Sequence, residues 1–296
     1  MMTAVLTPVP KPPETGAGWF MPPELTPLFY TAVFAELSEE ARLTYNHLHG
    51  LYFHEQIIFF EQAIICPALA AVRKICPDPG LRSDIDEFIA EENRHSARFH
   101  QVLGQVALEM YAKSPRYFIR NSSMEIAGLN WAVTHPRLFP MFLWLILILE
   151  ERAMHCSRVF LAHEQNVAAP FFQVQRQHLA DEVDHVRWDE QVIESIWPSL
   201  PLWLRRLNVR MMDGMLREFI VAPKRAAVRV LDELASRHPD LQPLLPRLKT
   251  ELRELGQTRA FQQSIFCPPV TPRSERLMAN YAEFDSFRSY WFHHER

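Results

Sequence analysis

His178, Glu182 and His185 are the residues in this chain whose spacing most directly implies chemistry. On a helix turning about 100° per residue they fall at roughly 0°, 40° and −20°, so both imidazoles and the carboxylate share one narrow sector. A stripe of that kind facing an apolar interior is costly unless something binds it. A metal ion satisfies it best, but one helix supplies only part of a coordination shell. The rest of the chain must provide a facing set.

The composition suits a helical scaffold for such a set. The chain has 296 residues, 48% of them hydrophobic, and only 8 glycines. Its long segments lack strand-like alternation, which predicts an all-α protein. A net charge of −4 gives no electrostatic reason to expect nucleic acid or an anionic membrane as partner. Phe139 to Leu149 is strongly apolar but stops at Glu150-Glu151-Arg152, well short of the roughly 20 residues a membrane span needs. The N-terminus lacks a basic region followed by an apolar one, so no secretory signal is read. Cys66, Cys76, Cys156 and Cys267 have no CxxC spacing and read as reduced thiols, in keeping with a cytoplasmic protein.

Seven prolines in residues 1–28 predict an extended arm, taken to run over 1–37. Ser38 then caps a long helix ending at Cys76-Pro77-Asp78-Pro79-Gly80, and a second is expected from a Ser83/Asp86 capping box to before Ser114-Pro115. Residues 117–135 should hold a crossover helix. Pro136 and Pro140 mark the start of a third long helix, and Pro170 opens a fourth that closes before Pro198. This divides the chain into a bundle core over 38–198 and additional helices over 199–296, near 201–221, 223–237 and 243–255. The aromatic-rich tail is expected to pack back on the bundle or on a second subunit, which leaves a homodimer open.

An internal repeat supplies the facing set. Glu61, Ala63 and Cys66 recur as Glu151, Ala153 and Cys156, and Glu91-Glu92-x-x-His95 recurs as Asp181-Glu182-x-x-His185, every pair offset by 90. Each half is a helical hairpin carrying Glu, then Glu-x-x-His 31 residues later. The midpoint of Glu61 and Glu92 falls in the Pro77/Pro79 turn, so the two carboxylates sit at one level; Glu55 fits this less well. The repeat selects Glu151 over its neighbour Glu150. Across the pseudo-twofold axis, Asp181 is expected to orient His95, Glu91 to orient His185, and Arg94 to pair with Asp184. His54 lies on the Glu61 face and reads as a core histidine.

Carboxylates and imidazoles without thiolate favour iron, with manganese the alternative. Two helices giving Glu and two giving Glu-x-x-His are a known recipe for di-iron carboxylate bundles. These residues resemble the ferritin-like di-iron oxygenases. His178, four residues before Glu182 and without a counterpart at Phe88, makes the chain similar to the p-aminobenzoate N-oxygenase family over roughly residues 40–195. The resemblance implies a ferritin-like four-helix bundle with the ligands Glu61, Glu92, His95, Glu151, His178, Glu182 and His185. It implies a monooxygenase that activates O2, as co-substrate, at two ferrous ions and transfers oxygen to a small-molecule amine. An external electron donor would drive it. Phe60, Phe88, Phe99 and Trp144 are available as pocket walls or as plain core. The alternatives are a hydroxylase or desaturase acting on a C–H bond and, in another class, an iron-storage or ferroxidase bundle. A radical-bearing reductase subunit fits poorly, because Phe99 stands four residues after His95 where that family places tyrosine near its ligands.

Overall fold

The computed structural model describes residues 18–217, 224–267 and 269–292, and all of its regular elements are helical. Two long hairpins form the centre. The first joins α1 (Glu39–Phe60), a π-helical turn (Glu61–Ile65) and α2 (Cys66–Ile75) to α3 (Pro79–Val106). The second joins α6 (Met141–Ala162) to α7 (Ala169–Ile196). Between them lie a short α4 (Leu108–Tyr111) and the crossover helix α5 (Ser123–Val133), whose N-terminus is a capping box of Ser122 and Glu125.

Local chemistry explains the boundaries. Ser38 accepts a hydrogen bond from the Ala41 N–H and so starts α1. The second hairpin arm begins four residues earlier than the Ser83/Asp86 pattern implied. Asp78 accepts from the Gly80 N–H, and Pro79 fills the first helical position, where its missing N–H costs nothing. Ser83 is therefore inside the helix, and Asp86 pairs with Arg73 of α2.

The proline-rich arm is only partly within the described residues; from Gly18 onward it is a strap. Trp19 pairs with the α6–α7 connection through its N–H to Asn166 O at 2.9 Å and its carbonyl to the Ala168 N–H at 2.8 Å. Asn46 of α1 accepts from the Phe20 N–H and donates to Met21 O. Phe20 crosses Gly50 so closely that a Cβ there would lie 2.6 Å from its own Cβ. Three short 3₁₀ turns carry the strap to α1.

The C-terminal third is α8 (Leu202–Met215), α9 (Lys224–Arg237), α10 (Leu245–Glu254), α11 (Arg259–Ile265), α12 (Pro272–Met278) and α13 (Asp285–Trp291). Its aromatics do pack back on the bundle. Trp144 of α6 meets Trp197, Tyr281 and Phe284, all within 6 Å between ring centroids. Trp144 is thus core on the side facing the tail. The four cysteines are free thiols. One continuous helical run, Glu39–Ile75, is apolar enough to cross a membrane by length and composition. Half of its most apolar stretch is packed inside the bundle.

Candidate metal centre

Six of the seven sequence-predicted ligands converge between α1, α3 and α7, all buried. One donor atom from each of Glu92, His95, Glu182 and His185 lies within 4.8 Å of the others, and Glu61, His95 and His178 form a second such group. The π-turn begins at Glu61, whose Oε2 accepts a hydrogen bond from Ser96 Oγ at 2.5 Å.

The arrangement has the symmetry of the repeat. His95 presents Nδ1 to Glu92 and Glu182 at 3.3 and 3.5 Å; its Nε2 bonds Asp181 at 3.1 Å. His185 presents Nδ1 to Glu92 and Glu182 at 3.1 and 3.3 Å, and its Nε2 bonds Glu91 at 2.9 Å. Both outer carboxylates therefore sit on the opposite hairpin from the histidine they hold, as the repeat implied. Arginines complete them: Arg98 bonds Asp181 at 2.9 Å, and Arg94 bonds Glu91 at 3.1 Å. Arg94 does not reach Asp184, which is exposed and pairs with Arg187 one turn along its own helix. Arg98 was missed because nothing in sequence distinguishes it from a surface cation.

The asymmetry also has a place. His178 packs edge-on against His95 with centroids 4.7 Å apart, while its counterpart Phe88 stacks on His185 at 4.0 Å. Phe99 touches both His178 and His54. His54 is fully buried, stacked on Phe171, and neither ring nitrogen has a hydrogen-bond partner.

Glu151 does not join this group. Its carboxylate turns to the outer side of α6 and accepts from the Arg273 N–H, the Ser274 N–H and Ser274 Oγ at 2.6–2.7 Å, closing the N-terminus of α12. Glu150 is the residue that faces inward, its carboxyl lying against Glu182. The two arms are wound differently, with a π-turn over Glu61–Ile65 in the first and regular α-helix throughout α6, and an offset of 90 does not carry through to this level: Glu61 precedes Glu92 by 31 residues, whereas Glu150 precedes Glu182 by 32. The apolar run ending at Leu149-Glu150 carried the signal, but an ungapped repeat concealed it.

Electrostatics show what such a cluster requires. Burial raises the Glu61 carboxyl to about 7, reinforced by Glu92 and opposed by His178. Burial and the charges of Glu182 and Glu92 drive Glu150 well above the carboxylate range. Burial depresses His178 and His185, but neighbouring carboxylates, Glu182 foremost, outweigh it and push them to about 10 and 11. Protons thus stand in for cations among these ligands. The inward atoms Glu61 Oε1, Glu92 Oε1, His95 Nδ1, His185 Nδ1 and both Glu182 oxygens approach one another yet none is aligned in a hydrogen bond. Buried polar atoms are normally satisfied. Orphaned acceptors converging with imidazole nitrogens fit a pair of divalent cations and fit nothing hydrogen-bonded.

A cavity of about 60 Å³ opens on one edge of the cluster, bounded there by Glu61, Glu150 and His178 and walled by Phe53, Ile57 and Phe60. Of the proposed pocket walls, Phe60 lines it, whereas Phe88 and Phe99 brace the histidines.

No curated protein matches this chain. The family described as P-aminobenzoate N-oxygenase AurF matches residues 8–264, which takes in both hairpins, the strap and most of the C-terminal helices. With the buried cluster, this makes the protein a di-iron oxygenase acting on a small molecule. The chain belongs to the p-aminobenzoate N-oxygenase AurF family.

Proposed function

We propose that the protein N-oxygenates an amine on a small molecule, using two iron ions held by Glu61, Glu92, His95, Glu150, His178, Glu182 and His185. The observation that carries this reading is His178, a third imidazole beside Glu61 and His95 that has no equivalent in the other hairpin. As a ligand it would add a neutral donor to one metal position and none to the other, which would make the two positions chemically unequal. When bound, the metals supply reductive activation of O2, with electrons from an external donor. The chain supplies the rest. Asp181 and Glu91 fix the tautomers of His95 and His185 by accepting from Nε2, which leaves each Nδ1 free as a donor to metal. Ser96 holds one oxygen of Glu61. Phe88 and Phe99 keep water away from His185 and His178. The cavity brings substrate to the Glu61–Glu150–His178 edge, the side that carries the extra histidine.

The test is anaerobic iron(II) loading followed by O2, with 4-aminobenzoate as probe amine and mass-spectrometric detection of hydroxylamine, nitroso and nitro products. The reading expects about two irons per chain and nitrogen-oxidised product carrying label from ¹⁸O2. Hydroxylation at carbon alone would favour the C–H alternative. Iron uptake with neither product from any amine tested would favour the storage class.

A further inference from the structure

Glu61 is the first residue of a π-turn that lies inside one uninterrupted helical run, Glu39–Ile75. The Cys66 N–H reaches back five residues to the Glu61 carbonyl, so the wide turn closes on the residue that faces the cluster. Pro67 follows at once, with the helix already in progress before it. A proline inside a helix has no N–H to donate, and its ring collides with the carbonyl four residues back. Here that carbonyl belongs to Ala63, within the turn, and a locally widened helix relieves such a collision. The second hairpin supplies the comparison. At the 90-residue offset Pro67 corresponds to Ser157, which keeps its N–H, and α6 runs as regular α-helix through it. Packing does not clamp the turn on its outer side. Gln62, Ala63 and Pro67 border a cavity of about 310 Å³ that is also bounded by Ile126 and Leu129 of α5. Space beside the turn leaves room for another register, so what bars it lies in the chain itself.

We propose that Pro67 is a positioning residue for Glu61: it excludes the α-helical register and keeps the wide turn from whose first residue Glu61 reaches the cluster. Reverting to the α register would take one residue out of the turn and rotate Glu61 by about 100° relative to α2. With Leu69 and Val72 of α2 buried, that rotation would draw the Glu61 carboxylate away from Ser96 and from His178 Nε2, which is 3.6 Å from Oε1. The proposal rests on the two-metal reading for what Glu61 binds, while the register that Pro67 sets is separable from it.

The experiment uses P67A and P67S, the second carrying the residue of the matching position in α6. Both restore an N–H and remove the ring. Iron(II) binding under nitrogen is measured by chelator competition, with urea unfolding of the metal-free proteins alongside. The variants are expected to weaken one of the two metal positions about ten-fold or more and to leave the other within about two-fold. Their unfolding midpoints should stand at or above that of the wild type, because an interior proline disfavours the helix. P79A, at the first position of α3 where a proline costs nothing, should change neither quantity. A crystal structure of metal-free P67A is expected to show the Cys66 N–H on the Gln62 carbonyl instead of Glu61. Wild-type affinity at both positions in both variants overturns the proposal. So does equal weakening of both positions with a lower midpoint, which a merely structural proline would give. The two readings fail separately. Wild-type protein that binds no iron removes the two-metal reading and leaves the metal-free structure to decide the turn, whereas a retained π-turn in P67A removes the role of Pro67 alone.

Discussion

Glu150 and Glu151 are adjacent in the chain and serve different sides of one helix. Glu150 lies against Glu182 in the ligand cluster, and Glu151 caps α12 through Arg273 and Ser274. The two should separate by readout. E150A is expected to bind less than the full iron complement while unfolding near the wild-type midpoint. E151A is expected to bind iron normally but lose about 2 kcal/mol of stability, because it strands buried N–H donors. Iron assay and urea denaturation on both variants check this, and an iron defect confined to E151A would reverse the assignment.

Asp181 and Glu91 each hold a histidine from the other hairpin. Removing such a partner typically lowers metal affinity about 10- to 100-fold. D181A and E91A are each expected to fall in that range in competition with a chelator. Wild-type affinity in both would mean that the outer carboxylates only tie the hairpins together.

Glu55 holds the segment leading to the crossover helix. Its carboxylate accepts from Tyr111 Oη at 2.7 Å and from the N–H groups of Tyr117, Phe118 and Ile119 at 2.8–2.9 Å. E55Q turns a two-oxygen acceptor into one oxygen and a donor facing N–H groups. It should cost about 3 kcal/mol and raise hydrogen exchange at residues 117–119. Unaltered exchange there would show that the segment is held by its packing instead.

His49 sets an acid limit. Burial and, secondarily, the positive Arg152 depress its pKa from 6.5 to about 3. Between those values the unfolded chain takes up a proton that the native state refuses, so stability falls as pH falls through the window. Each pH unit contributes about 1.4 kcal/mol where His49 is the titrating group. H49Q does not titrate there and should flatten the stability profile between pH 6 and 4 by about that slope. Identical slopes in chemical denaturation would mean that His49 is protonated in the fold.

Much of the site was legible in sequence because helical geometry converts spacing into direction. Glu92/His95 and His178/Glu182/His185 each lie within one continuous α-helix, where a register of three or four residues leaves no freedom about which side chains share a face. The 90-residue repeat then paired the hairpins, and with them His95 with Asp181 and His185 with Glu91. Even the odd residue His178, with Phe88 opposite, could be read before any fold was known.

What sequence alone left undecided lies where that geometry breaks or where chains far apart meet. The helix changes to a π-turn at Glu61, and the residue of α6 that faces the cluster is Glu150, not the Glu151 that the repeat selected. Glu151 has its role only because α12, more than a hundred residues on, brings two N–H groups and a hydroxyl to it. The surroundings of Arg152 are set by the strap and α11, which close a cavity beside it. Periodicity fixes which way a side chain leaves its helix, whereas packing between distant segments decides what it finds there.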